Sequence, residues 1–218
     1  MSDTFPPTAR TQVRRIPNRG VYAKAEVYAI LDEGYLCHVG FAVEGLPYVI
    51  PTGYARRDNC LLIHGSAASR MMREMSAGID VCVTVTLVDG FVLSRSAFHH
   101  SMNYRSVVML GRARLLEEAA EKMAALEAFT NHIVPGRWEE VRWPSEQELN
   151  ATTVLELPLE EVSAKIRRGG PVEDEGDLER PTWAGVIPLR AKLGRPEPMD
   201  NLVEGVEEID MARFTRFP

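Results

Sequence analysis

Residues 35–64, YLCHVGFAVEGLPYVIPTGYARRDNCLLIH, decide the fold of this chain. Two runs rich in branched and aromatic residues flank Glu44-Gly45, a pair suited to a tight hairpin turn. A third apolar run, NCLLIH, follows the polar residues RRDN. Runs of this composition separated by short polar turns are typical of paired strands. The stretch therefore predicts a three-stranded antiparallel meander.

The β pattern continues on the C-terminal side of this stretch. Residues 81–94, VCVTVTLVDGFVLS, are predicted as a strand pair turned at Asp89-Gly90, and residues 104–116 as a long strand interrupted by Gly111. Residues 151–169 return to β-type residues. About six strands joined mostly by hairpins predict an α+β fold that is mainly β. An antiparallel barrel with flanking helices is favoured over a doubly wound parallel sheet.

Three helices are predicted around these strands. Apolar residues fall at helical spacing from Val21 to Leu31, and Gly34 suits the left-handed position after a helix. Residues 68–77, ASRMMREMSA, form a short helix, and residues 117–134 are dense in good helix formers. The chain divides into an N-terminal arm (1–20), one domain (21–190) and a C-terminal tail (191–218). The segment from Gly169 onward is expected to wrap the body or a partner subunit.

Composition excludes several classes of function. A net charge of −6 argues against nucleic-acid binding, which requires a basic surface. No apolar window approaches the roughly 18 residues of a membrane span, and no apolar stretch follows the N-terminal charges, so a cytoplasmic protein without a membrane anchor is expected. The three cysteines form no CxxC pair and indicate no disulfide framework.

One candidate site lies in residues 64–70, HGSAASR, where a strand is predicted to become a helix. Gly65 permits close backbone approach, Ser66 and Ser69 can donate hydrogen bonds, and Arg70 can grip two phosphate oxygens. Such a group of donors at a helix N-terminus attracts an anion. The alternative is that Ser66 only caps the helix and Arg70 is a surface charge.

A second polar cluster occupies residues 96–107, SAFHHSMNYRSV. Adjacent histidines in a strand face opposite sides, and no HExxH spacing occurs, so a zinc site is disfavoured and no metal is expected. The alternative is a loop whose polar side chains satisfy local backbone groups. His38 and His132 are interpreted as structural. The cluster contains six candidate residues, namely His99, His100, Asn103, Tyr104, Arg105 and Ser106.

The order of these segments resembles the flavin-binding split-barrel proteins related to pyridoxamine 5'-phosphate oxidase. The likeness runs from the hairpin through HGSAASR and FHHSMNYRSV to WAGVIPL, over roughly residues 20–190, and is greatest for the nitroimidazole-resistance branch. The resemblance implies a six-stranded antiparallel split β-barrel that forms a homodimer with FMN between the subunits. A basic residue after Arg70 and the arginine- and histidine-bearing substrate motif of the oxidases are missing, which argues against vitamin B6 activity.

The resemblance also implies which residues face the cofactor. Ser66, Ser69 and Arg70 would hold the phosphate, with His64 and Gly65 beside it. Arg105 and Ser106, together with the neighbouring Asn103 and Tyr104, would reach the cofactor from a second strand. The strand facing the isoalloxazine ring would contribute Val49, Ile50, Pro51 and Thr52.

The function expected from this likeness is that of an FMN-dependent oxidoreductase acting on a small electron-poor compound, such as a nitro compound or a quinone. His64 and His100 are the candidates for proton delivery, since an imidazole can donate a proton at physiological pH. Two alternatives stay open. One is a flavin sensor or storage protein without turnover, and the other is a haem-binding relative using His99, His100 or His132.

Overall fold

The structure is a computed structural model that describes residues 2–214. Within these residues it contains four α-helices and eleven strands, four of them very short. The helices are α1 (Lys24–Glu33), α2 (Arg70–Ser76), α3 (Ala119–Ile133) and α4 (Glu146–Ala151). The strands are β1 (Gly20–Val21), β2 (Leu36–Val43), β3 (Leu46–Gly53), β4 (Ala55–Arg57), β5 (Cys60–Ser66), β6 (Val81–Leu93), β7 (Ser101–Gly111), β8 (Arg114–Leu115), β9 (Thr152–Pro158), β10 (Glu161–Arg167) and β11 (Gly185–Pro188).

The strands form two antiparallel sheets. The larger sheet has the order β1-β10-β7-β6-β2-β3, with β11 paired to the far part of β6. The smaller sheet has the order β4-β5-β9-β8. The prediction of a mainly β, antiparallel α+β fold of the split-barrel type is confirmed.

The main core lies on one face of the larger sheet, because its strands alternate as the sequence pattern predicts. In β2, Cys37, Val39 and Phe41 are buried and alternate with exposed or half-buried residues. Each fully buried apolar side chain of this size contributes about 1.5–3 kcal/mol. Helix α1 closes this core with Val27 and Ile30. A second core forms under α3, whose Phe129 packs with residues of the smaller sheet.

The meander prediction is correct for its hairpin and wrong for its third strand. Glu44 and Gly45 have φ values of 51° and 79°, as a turn between twisted strands requires, and β2 pairs with β3 along its whole length. The chain then leaves the sheet at Tyr54, whose buried hydroxyl donates to the Leu31 carbonyl at 2.7 Å. Because Tyr54 is anchored to α1, β5 joins the smaller sheet instead of β3.

The predicted strand pair at residues 81–94 is a single strand. β6 runs through Asp89-Gly90, and its register with β7 shifts between Val88 and Gly90, as at a β-bulge. The chain reverses later, at residues 94–100, before β7 begins. The interruption of the next strand at Gly111 is confirmed, since β7 ends there and β8 follows.

Helices α2 and α3 lie inside their predicted ranges, whereas α1 begins three residues later than predicted. The left-handed conformation predicted for Gly34 is wrong, since its φ is −75°. A Cβ at this position would lie 2.5 Å from the Tyr54 hydroxyl and 2.9 Å from a Val85 methyl. Glycine is needed at residue 34 for close packing against its neighbours.

The N-terminal arm packs against the domain. Phe5 is 2% exposed, the Thr8 hydroxyl donates to Glu161 at 2.8 Å, and Arg10 forms an ion pair with the same carboxylate. Most side chains of residues 191–214 are exposed. Among residues 2–214, no helix combines the length and the apolar character needed to cross a membrane.

Candidate functional site

The predicted anion-binding loop lies between β5 and α2. Ser69 occupies the position before the first residue of α2, yet its side chain makes no capping hydrogen bond. The Ser66 hydroxyl accepts a bond from the Ala68 amide at 3.2 Å and so orders the loop without capping the helix. The alternative interpretation of Ser66 as a helix cap is therefore wrong.

Arg70 is exposed and makes no ion pair with any residue of the described chain. Its guanidinium lies 5.1 Å from the centre of the Tyr48 ring, and Tyr48 stacks on Phe41 at 5.5 Å. Arg73 is used differently, since it donates to the Ala68 carbonyl at 2.9 Å and holds the loop. The charge of Arg70 thus has no counter-charge among the described residues, and its side chain lies against the Tyr48 ring.

Tyr48 also connects the loop to the strand predicted to face the isoalloxazine ring. The predicted residues of that strand, Val49, Ile50, Pro51 and Thr52, follow Tyr48 directly in β3. This strand is an edge of the larger sheet, and most of its side chains are exposed. Val49 is 65% exposed and Ile50 39% exposed. The structure therefore brings an uncovered apolar strand and an available cation close together.

His64 packs away from solvent against α3. Its ring meets Phe129 edge-on, with centroids 4.1 Å apart, and its Nδ1 is buried without a hydrogen-bond partner in the described chain. Burial lowers the pKa of His64 below its ordinary value. At neutral pH the imidazole is therefore uncharged. Gly65 lies beside α2, where a Cβ would approach Met72 to 3.2 Å.

Arg105 is paired with two carboxylates. Its guanidinium donates to Asp89 at 2.6 Å and to Glu33 at 2.8 Å. Hydrogen bonds to Glu33, and then to Asp89, raise the pKa of Arg105 above its ordinary value. These groups line a cleft of about 450 Å³ that also contains Tyr35 and Leu189. Arg105 is thus neutralised within its own chain, an arrangement that the sequence did not indicate.

The other candidate site residues of β7 contact β10 and the residues that follow it. Asn103 is buried and donates to the Gly169 carbonyl at 3.1 Å. The Ser106 hydroxyl donates to the Lys165 carbonyl at 3.3 Å, and Tyr104 is the cross-strand partner of Arg167. β2 and β6 separate β7 from β3, a distance of about 14 Å at the usual strand spacing. One chain therefore does not bring Ser106 beside Val49.

The adjacent histidines lie in the turn before β7. The Nε2 of His99 lies 3.1 Å from Asp174, and the Nδ1 of His100 lies 2.9 Å from the Ser96 carbonyl. His132 has its Nε2 2.7 Å from the Gly34 carbonyl. Within residues 2–214 no three His, Cys, Asp or Glu side chains come together as metal ligands would.

Sequence reasoning missed three features of this region. They are Tyr48 under Arg70, the carboxylates on Arg105, and Arg167 beside Asn103. The Glu33 partner lies 72 residues from Arg105, so no local pattern could connect the two. Arg167 ends a β-type run, and only its burial makes it noticeable.

The two antiparallel sheets with their four helices place this chain in the split-barrel class of α+β proteins. The family model described as pyridoxamine 5'-phosphate oxidase matches residues 23–166. This chain belongs to the pyridoxamine 5'-phosphate oxidase family. No curated protein is a significant match to it.

Three solved structures illustrate the likeness. A flavocytochrome from Azotobacter vinelandii is 39% identical, with a TM-score of 0.89 over 97% of this chain and 98% of the other. An FAD and haem binding protein from Mycobacterium smegmatis is 31% identical, with a TM-score of 0.85 over 89% and 96%. A candidate 5-nitroimidazole antibiotic resistance protein from Bacteroides thetaiotaomicron shares the fold at 22% identity, with a TM-score of 0.55 over 67% and 86%.

Proposed function

We propose that this chain is a flavin-dependent oxidoreductase. The observation that carries the proposal is the placement of Arg70, an unpaired exposed cation, next to the exposed apolar strand β3. A flavin needs both surroundings, since its phosphate is anionic and its ring system is largely apolar. Two relatives above 30% identity, a flavocytochrome and an FAD and haem binding protein, support the flavin-binding part of the proposal.

The residues of the loop fit a flavin phosphate. Arg70 would bind it by charge-assisted hydrogen bonds, and Ser66 and Ser69 would add hydroxyl donors. Val49 and Ile50 would pack against the ring and exclude water from it. A bound flavin supplies the redox chemistry, accepting and releasing one or two electrons, while the protein supplies orientation and electrostatics.

The sequence predicted FMN, whereas the M. smegmatis relative is described as binding FAD. The two cofactors share the ring and the first phosphate. The proposed contacts apply to both cofactors. For proton transfer, His64 is uncharged at physiological pH, so it would act as a proton acceptor or a neutral hydrogen-bond donor rather than deliver a proton. His100 is exposed and has one nitrogen free of its contact with Ser96.

We further propose a homodimer in which β3 is covered by the partner. A long, exposed apolar edge strand is an open template for pairing, and proteins normally cover or charge such strands. A partner subunit would also supply its own β7 to the flavin, which resolves the separation of Ser106 from Val49 within one chain.

The absorbance spectrum of the purified protein tests the flavin proposal. We expect flavin bands, and mass spectrometry of the molecule released by heat identifies FMN or FAD. A screen for NAD(P)H oxidation with nitro compounds and quinones then tests turnover. Tight flavin binding without any turnover would indicate a sensor or storage protein. A colourless protein that also fails to bind added FMN and FAD contradicts the proposal.

Haem binding is a second candidate function, because the same two relatives are a flavocytochrome and an FAD and haem binding protein. Metal-bound histidines usually donate the other ring N–H to a carbonyl or carboxylate, and His100 has this arrangement with Ser96. Reconstitution with haem should give a Soret band that shifts in His100→Ala and stays unchanged in His38→Ala, a variant of another exposed histidine. A band that does not respond to His100→Ala removes this histidine as ligand.

A further inference from the structure

Arg167 is a buried cation without a counter-charge. It is 5% exposed and is the only charged residue among those buried within residues 2–214. Its guanidinium donates to the Asn103 amide oxygen and to the carbonyls of Gly169 and Gly170, at 3.3 and 3.2 Å for the carbonyls. Its Nε is buried and has no partner in the described chain. Only neutral acceptors therefore surround this charge.

A second cation, Arg19, lies near Arg167 and makes the charged state of Arg167 less favourable. Gly20 pairs with Lys165, so Arg19 lies beside the last residues of β10. Burial, and then the positive charge of Arg19, lower the pKa of Arg167. A buried cation is normally paired with an anion, since transfer of an unpaired charge from water is costly. Arg167 forms no ion pair with a carboxylate of the described residues, so an anionic ligand could supply the counter-charge.

The backbone around this pair adopts unusual conformations. Ile16 has φ 56° and ψ 66°, a left-handed conformation that β-branched residues rarely adopt. The turn that it starts is closed by the Arg19 amide, which donates to the Ile16 carbonyl at 3.0 Å. Gly169 has φ 95°, and its carbonyl accepts bonds from both Asn103 and Arg167. A strained left-handed residue such as Ile16 is typical of functional sites, whereas glycine adopts a positive φ without strain.

We propose that Arg167 and Arg19 form a binding site for a phosphoryl group of a nucleotide. Two guanidinium groups match the geometry and charge of phosphate oxygens. The site lies at the end of β10 and is separate from Arg70 on α2. The phosphoryl group belongs to a dinucleotide, either the second phosphate of FAD, beyond the one assigned to Arg70, or the diphosphate of a nicotinamide electron donor. The inference goes beyond the flavin proposal, because it assigns a second anion site.

Calorimetric titration of the purified full chain with inorganic pyrophosphate tests this site. We expect Arg19→Gln to weaken pyrophosphate binding at least about tenfold, the loss expected for a charge-assisted hydrogen bond. Asn103→Asp should weaken it as well, since the new carboxylate would neutralise Arg167 internally. The matched control is Arg168→Gln, a change at an exposed arginine next in the chain, and it should alter the affinity less than about twofold.

Three results would overturn the proposal. They are the absence of pyrophosphate binding at millimolar concentration, binding that Arg19→Gln leaves unchanged, and binding lost in Arg70→Gln alone. Circular dichroism of each variant verifies that it is folded. Because pyrophosphate contains no flavin, a protein that binds it through Arg19 but fails to bind added FMN and FAD would end the flavin proposal and retain this one.

Competition identifies the source of the phosphoryl group. Displacement of pyrophosphate by FAD, but not by riboflavin, assigns the site to the flavin dinucleotide. Displacement by NADPH from protein already saturated with flavin assigns it to the electron donor. Pyrophosphate binding that neither dinucleotide displaces overturns the assignment to a nucleotide.

Discussion

In the proposed site, Arg70 contacts the phosphate of the flavin and not its ring system. Arg70→Ala should weaken FMN about 10- to 100-fold, because charge-assisted hydrogen bonds contribute about 1.5–3 kcal/mol, and should leave riboflavin nearly unaffected. Fluorescence titration of both flavins measures the difference. The control is Arg112→Ala, which removes an exposed arginine paired with Asp80 on the surface. An equal loss for FMN and riboflavin would place the phosphate elsewhere.

His64 makes stability depend on pH. Its folded-state pKa is lowered, so the unfolded chain takes up a proton more readily than the folded one. The folded state should therefore lose stability as the pH falls below about 6.5, the unfolded value, and the loss should grow toward the lowered folded value. Thermal unfolding between pH 7.5 and 5.5 should show a smaller decrease for His64→Gln. Identical profiles for His64→Gln and the wild type would contradict this role.

At the scale of elements, Gly90 fixes the contact between β6 and β11. A Cβ at this position would lie 2.7 Å from the Ile187 carbonyl. Gly90→Ala should therefore displace β11 and destabilise the fold by about 1–3 kcal/mol. Limited proteolysis should show faster cleavage in residues 170–190. Gly176→Ala, with open space around its Cβ position, is the control, and equal cleavage of both variants would show that β11 is held otherwise.

The element level also shows what a sequence pattern can predict. The alternation in β2 and the helix formers of α3 are local signals, so both elements were predicted correctly. Asp89-Gly90 is compatible with a turn and with a bulge, and the choice depends on β11 and β7 pairing on either side of β6. The loop between β5 and α2 was proposed as an anion site because its donors are consecutive, and this role stays a prediction. The partners of Arg105 and Arg167 are distant in sequence and could not be predicted.

At the scale of the whole molecule, the proposed dimer depends on β3. Val49→Lys puts a charge on the exposed apolar edge, so we expect the species of twice 24.4 kDa to dissociate to one of 24.4 kDa and flavin to be released with it. Sedimentation equilibrium measures the molecular mass, and the flavin absorbance that sediments with the protein measures how much cofactor is retained. Val203→Lys, which changes a 77% exposed residue of the tail, should do neither. A wild-type monomer that binds flavin would contradict the dimer.

One edge of β6 is shared by two strands from distant parts of the chain. β2 covers residues 82–84, whereas residues 90–93 are covered only by β11, about a hundred residues later. During synthesis the ribosome therefore releases β2, β6 and β7 well before the strand that completes this edge. Until then the amides and carbonyls near Val92 are open to pairing with another nascent chain. We therefore expect β11, once residues 185–188 are synthesised, to protect this edge from such pairing.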